Sequence, residues 1–197
     1  MSGTFPSSPA FQQVGFRSIL PTSVSTSISG RRQARQLAGQ RWGLTGILPT
    51  MTRAQFTPIF AFCVKQRGQL DTFTLIPPVL STRQATTTVG SPLVAGASQT
   101  GRTLTTDGWG ADGTCMKSGD FFKLTGNDKI YMCTADATAS SYSATLTFEP
   151  ALLTSPDDNT SITVSSVPFT VSLNSEIQEF FVDPKFYNYE IEFIEAL

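Results

Sequence analysis

Histidine is absent from this chain, so carboxylates are the main residues left that could do chemistry. Without an imidazole there is no Ser–His or Cys–His nucleophile pair, no histidine general base and no histidine metal ligand. A carboxylate pair of the glycoside-hydrolase kind remains available, because it needs only two carboxyls held a fixed distance apart. Asp120, Asp136 and Glu149 are the candidates. Each sits at the edge of an apolar run, where an acid ordinarily closes a turn or caps a backbone amide. Asp107, Asp112, Asp157 and Asp158 stand in polar loops and offer the hard oxygen that calcium takes. Yet TDGWGADG lacks the alternating oxygen ligands and the closing glutamate of an EF-hand loop. G-x-x-x-x-G-K does not occur, so no phosphate cradle of that kind is expected. The reading is of a non-enzyme: no catalytic residue, no cofactor or cofactor-binding residue, no metal ligand.

Three further groups could bind rather than react. Trp109, between Gly108 and Gly110, reads as an exposed aromatic able to anchor a partner or, with Tyr142, to stack a glycan. The competing reading folds Trp109 back onto its own sheet. Arg31, Arg32 and Arg35 could touch phosphates, but their spacing suits the wet face of a strand better. Cys63, Cys115 and Cys133 are odd in number and lack C-x-x-C spacing, against both a disulfide framework and a zinc site. Cys63 and Cys133 fall in apolar stretches and read as small core residues.

A chain of 197 residues has length for one ordinary domain or two small ones, and 15 Phe supply much of a core. The net charge of −1 gives no general affinity for nucleic acid. Its distribution is uneven. Arg17, Arg31, Arg32, Arg35, Arg41, Arg53, Lys65 and Arg67 precede residue 71 without a single acid, whereas Glu176, Glu179, Asp183, Glu190, Glu192 and Glu195 crowd the end against Lys185 alone. Such a split can steer self-association or be neutralised within one subunit. The opening MSGTFPSSPAF lacks the basic start and apolar core of a secretory signal, so assembly in a reducing cytoplasm is expected. No apolar run is long enough for a membrane span.

The elements that must position these residues read as β with one exception. Residues 1–30 are rich in Ser, Thr, Pro and Gly and read as an extended arm. Residues 31–197 read as a single β-rich domain carrying a long Gly/Thr loop at 79–118, in which 93–95 and 102–104 could be short strands. Trp42, Leu44 and Leu48 alternate with Gly43, Thr45 and Ile47, and the run extends back through Ala34 and Ala38. Pro49 stops it. Thr52 and Gln55 form a capping-box pattern, while Thr57-Pro58 offers a rival helix start. Phe56, Ile59, Phe60 and Cys63 make the apolar stripe, and Gly68 suits the C-cap. Phe73 and Leu75 open a strand. DFFKL and KIYMC around TGND signal a hairpin. Residues 142–148, 162–164, 169–173 and 187–193 read as strands, giving roughly eight to ten in all.

Two stretches resemble minor tail proteins of tailed bacteriophages. They are RWGLTGILPTMTRAQFTPIFAFCVKQRGQLDTFTLIPP, and GDFFKLTGNDKIYMCTADATASSYSATLTFEPALL with the YNYEIEFIEAL ending; together they cover about half of the chain. The pattern is similar to that of distal tail, or tail-hub, proteins. The resemblance implies an antiparallel β-sandwich or split barrel flanked by one α-helix, as in tail-tube subunits. It implies a virion structural protein of the tail: a ring, expected to be a hexamer, joining the tail tube to tip, hub or fibre proteins, with DNA only passing through the lumen. Alternatives are a tail tube, tail terminator or head–tail connector subunit, or a glycan-binding β-sandwich module. The loop at 79–118 departs from the family pattern.

Overall fold

The computed structural model describes residues 3–37, 39–183 and 185–197. It is 44% strand and 7% helix, which bears out the expected antiparallel β fold with one helix. The chain divides into two compact units. One holds the described residues up to Phe5, Thr72–Val171 and Leu197; the other holds Pro6–Asp71 and Ser172–Ala196.

The second unit opens with β1 (Gln13–Ile19), β2 (Thr22–Thr26), β3 (Arg32–Gln36), β4 (Arg41–Ile47) and α1 (Arg53–Lys65), and closes with β15 (Phe181–Val182), β16 (Tyr187–Asn188) and β17 (Glu190–Glu195). β4 is the middle strand, antiparallel to β1 on one side and to β17 on the other. Trp42, Leu44 and Leu48 point inward as their alternation predicts. Gly46 is buried too, because the Phe11 ring occupies the space a Cβ would need. Phe16 stacks on Trp42 at 5.0 Å, which explains why part of the expected arm, residues 13–19, is a full strand. The expected backward extension of β4 is not adopted. Gly39, at φ +96, breaks the extended run. Ala34 lies in β3 opposite Val24 of β2, and Ala38 lies outside the described residues.

α1 starts at Thr52, not at Thr57-Pro58. The Gln55 side-chain oxygen accepts from the Thr52 amide at 3.1 Å and from its hydroxyl at 3.0 Å, securing the first turn. Pro58 is retained inside the helix, where its missing donor leaves the Ala54 carbonyl unpaired in the helical ladder. Both residues are exposed, so water can satisfy that carbonyl. Past the C-cap at Gln66, Arg67 (φ 56) and Gly68 (φ 68) both take the left-handed form. Phe56, Ile59 and Cys63 face inward. The Phe56 ring lies parallel to Tyr187 at 4.7 Å and meets Tyr189 edge-on at 5.6 Å, which packs the helix on the strands 187–195.

The first unit comprises β5 (Phe73–Leu75), β6 (Gly90–Val94), β7 (Thr103–Trp109), β8 (Gly113–Met116), β9 (Phe121–Leu124), β10 (Ile130–Cys133), β11 (Ala137–Ala139), β12 (Ala144–Glu149), β13 (Ile162–Thr163) and the start of β14 (Phe169–Leu173). Six of these run side by side in the order β13-β9-β10-β12-β7-β6. Leu93 of β6 then bridges Ser161 beside β13, so the sheet curls into a nearly closed barrel. β8 and β11 pair separately, and β5 pairs with residues 169–171 of β14. The hairpin expected around TGND is present as β9–β10. Residues 79–118 hold three strands, β6 to β8, where the sequence suggested a loop with short pieces. Trp109, Phe122, Tyr131 and Phe148 fill the barrel, each at 1% exposure or less. The described residues form 17 strands, more than the sequence suggested, because many ladders are only two to four residues long.

Candidate assembly surface

Five of the seven acids singled out for chemistry are bonded within local structure. Asp120 is buried, and its two carboxylate oxygens accept the backbone amides of Gln84 and Lys117, each at 2.8 Å. Asp136 accepts the Ser118 amide at 2.8 Å. Glu149 pairs with Arg102 at 2.7 Å. Asp112 accepts the Tyr142 amide at 2.9 Å, and Asp158 accepts the Gly96 amide at 2.7 Å. These are turn-closing roles. Among the described residues no three His, Cys, Asp or Glu side chains gather as a metal site.

Trp109 is not an exposed anchor. It is buried, its indole N–H donates to the Thr106 hydroxyl at 2.9 Å, and that hydroxyl donates to the Ala144 carbonyl at 2.8 Å. The flanking glycines that suggested exposure do the reverse: they bring backbone against backbone at Gly90 and Ser91, and so tuck the indole inside. Tyr142 remains exposed. The three thiols are all buried. Burial pushes Cys63 up to about 11, Cys133 up to about 12, and raises Cys115 as well.

A concavity of about 420 Å³ in the barrel unit lies between the turn at 125–128 and the loop at 153–157. Asp128 in its wall is bound by the Thr170 hydroxyl at 2.8 Å and the Lys123 ammonium at 3.1 Å. Partial burial acts to raise Asp128, but these bonds outweigh it and hold the carboxyl below its ordinary value. An acid held ionised and already bonded suits structure better than proton transfer.

The surface of the second unit is different in kind. Residues 20–37 are exposed throughout, although β2 and β3 form a regular antiparallel ribbon closed by bonds from Ser27 N–H to the Arg31 carbonyl at 3.0 Å and from Leu37 N–H to the Pro21 carbonyl at 2.9 Å. A two-stranded ribbon by itself is marginal in water. It carries Arg31, Arg32 and Arg35 together with the exposed apolar residues Leu20, Val24, Ile28 and Leu37. A second exposed region runs through 176–183, where Ile177, Phe181 and Val182 stand among Glu176, Glu179 and Asp183, with Phe186 nearby. Phe180 anchors this stretch on α1, meeting Phe56 at 4.8 Å and Phe60 at 5.0 Å. The Tyr189 hydroxyl donates to Gln178 at 2.7 Å. The apolar residues set among acids in EIQEFFVD are the sequence signal for this surface.

A family comparison supports a structural role in the phage tail. Residues 81–167, which span β6 to β13, match the family model described as distal tail protein pb9, B domain. No curated protein matches the chain. The match falls largely on the barrel and includes most of residues 79–118, the loop that seemed to depart from the family pattern; the RWG…IPP stretch and the YNYEIEFIEAL ending lie outside it.

Proposed function

We propose that this protein is the distal tail ring subunit of a tailed-phage virion. Copies close head to tail about an axis, with a hexamer as the expected closure, and the ring joins the tail tube to tip, hub or fibre proteins while DNA passes through its channel. Assembly takes place in the bacterial host's cytoplasm before incorporation into the virion tail. The observation that carries this reading is the family match over the barrel. The exposed ribbon β2–β3 supports it, because apolar side chains and free strand edges gain stability when another subunit covers them. Heterologous contacts between unlike patches are the kind that generate rings. Among the described residues no helix is long and apolar enough to cross a membrane, and the reading invokes no membrane insertion.

Electron cryo-microscopy of the native particle, with light scattering on the purified chain, tests the proposal. The expected result is one ring of this chain at the tip-proximal end of the tube. A stable monomer that is absent from particles would overturn it.

A further inference from the structure

We infer that the basic ribbon β2–β3 of one copy seats on the acidic and apolar surface formed by residues 176–183 and Phe186 of the next copy, and that this is the repeating contact of the ring. The inference rests on the ring reading above and names the surfaces that would make it.

Charge is the first argument. None of Arg31, Arg32, Arg35, Glu176, Glu179 and Asp183 forms an ion pair with another described side chain, whereas Arg17 pairs with Glu192 at 3.2 Å in the same unit. Opposite charges are thus left open on two separate surfaces, as a head-to-tail contact requires. Lys185 lies in the same stretch of sequence, and Arg67 lines a concavity with Glu176 without forming an ion pair.

Apolar complementarity is the second. The register places Val24 opposite Ala34 and Thr26 opposite Arg32, so these four share one face of the ribbon, flanked by Thr22 and Gln36. That face has a small apolar centre with an arginine at its end. Opposite it in the proposed contact stand Ile177, Phe181, Val182 and Phe186 with acids around them. An apolar centre with a charged rim is how specific interfaces are built. Arg35 projects from the other face of the ribbon with Ser23 and Ser25. It is therefore outside the contact, and this gives the inference a built-in control.

The test uses the full chain and light scattering at about 0.15 M salt, where exposed charges still attract over roughly 8 Å. Arg31→Glu/Arg32→Glu in one variant, and Glu176→Lys/Glu179→Lys/Asp183→Lys in another, are each expected to reduce the ring to the 21.3 kDa of a single chain. Circular dichroism spectra should keep the wild-type shape, because the replaced side chains are exposed and carry no internal ion pair, while the melting temperature falls only by what assembly contributed. An equimolar mixture of the two variants is expected to reassemble, since each acidic ribbon meets a basic surface and each native ribbon meets a native surface in alternation. Arg35→Glu should assemble as wild type does. Rings from either variant alone, or a mixture that stays monomeric, overturn the inference while leaving the ring reading intact. A wild-type chain that is monomeric both in solution and in particles overturns both.

Discussion

At the scale of residues, the bonded acids and the buried thiols of this chain serve the fold. Gly90 shows how little slack remains: it sits at φ +65, and a Cβ there would run into the backbone at Gly108 and Gly110. Backbone cannot swing aside as a side chain can. Gly90→Ala is therefore expected to destabilise the chain by about 2 kcal/mol or more, read by thermal or urea unfolding. The cysteines give a pH prediction. Their ordinary value is 9.0, while burial raises Cys63 to about 11 and Cys133 to about 12. The unfolded thiols ionise first, so their contribution is fully present below pH 9 and is lost as pH rises from 9 through 11 to 12. Denaturation midpoints measured across that range should fall. At neutral pH the folded chain should resist iodoacetamide and the urea-unfolded chain should take it up at all three thiols.

Among the elements, α1 and the ribbon lead to opposite expectations. Pro58 interrupts α1 on its exposed side, so Pro58→Ala restores a backbone donor to the Ala54 carbonyl. The substitution should stabilise the chain by about 1 kcal/mol or more, the lost chain stiffness offsetting part of the regained helical bond. Gln55→Ala should cost about 1 kcal/mol, since Thr52 then loses both bonds it donates to that side chain. The ribbon has no core of its own. Its amides should exchange with deuterium rapidly in a dissociated subunit and slow down in assembled particles, and equal exchange in the two would contradict the inferred ribbon contact.

For the whole molecule, the reading predicts low copy number. A single ring at the end of the tube contributes few chains, whereas a tube subunit is stacked many times over. On gels of purified particles the band of this protein should be many-fold weaker than that of the tube protein. A band of equal strength would favour the tube-subunit alternative.

Much of this fold was readable along the chain because its causes are local. Alternation at Trp42, Leu44 and Leu48, the Thr52–Gln55 pair, the Phe56–Cys63 stripe and the TGND turn each act within a few residues of themselves. The absence of histidine narrowed the chemistry before any fold was known. What only the tertiary structure decided depends on partners far away in sequence. Gly90 had to meet Gly110, and Trp109 had to find Thr106, before a Gly-flanked tryptophan became core and not anchor. Leu93 had to reach Ser161 before a polar, Gly-rich stretch became barrel wall. The surface formed by 176–183 likewise emerged only when Phe180 docked on Phe56 and Phe60 and left Phe181 and Val182 facing water. Hydrophobic pattern names which residues want burial; only the closed set of long-range contacts sets which of them obtain it.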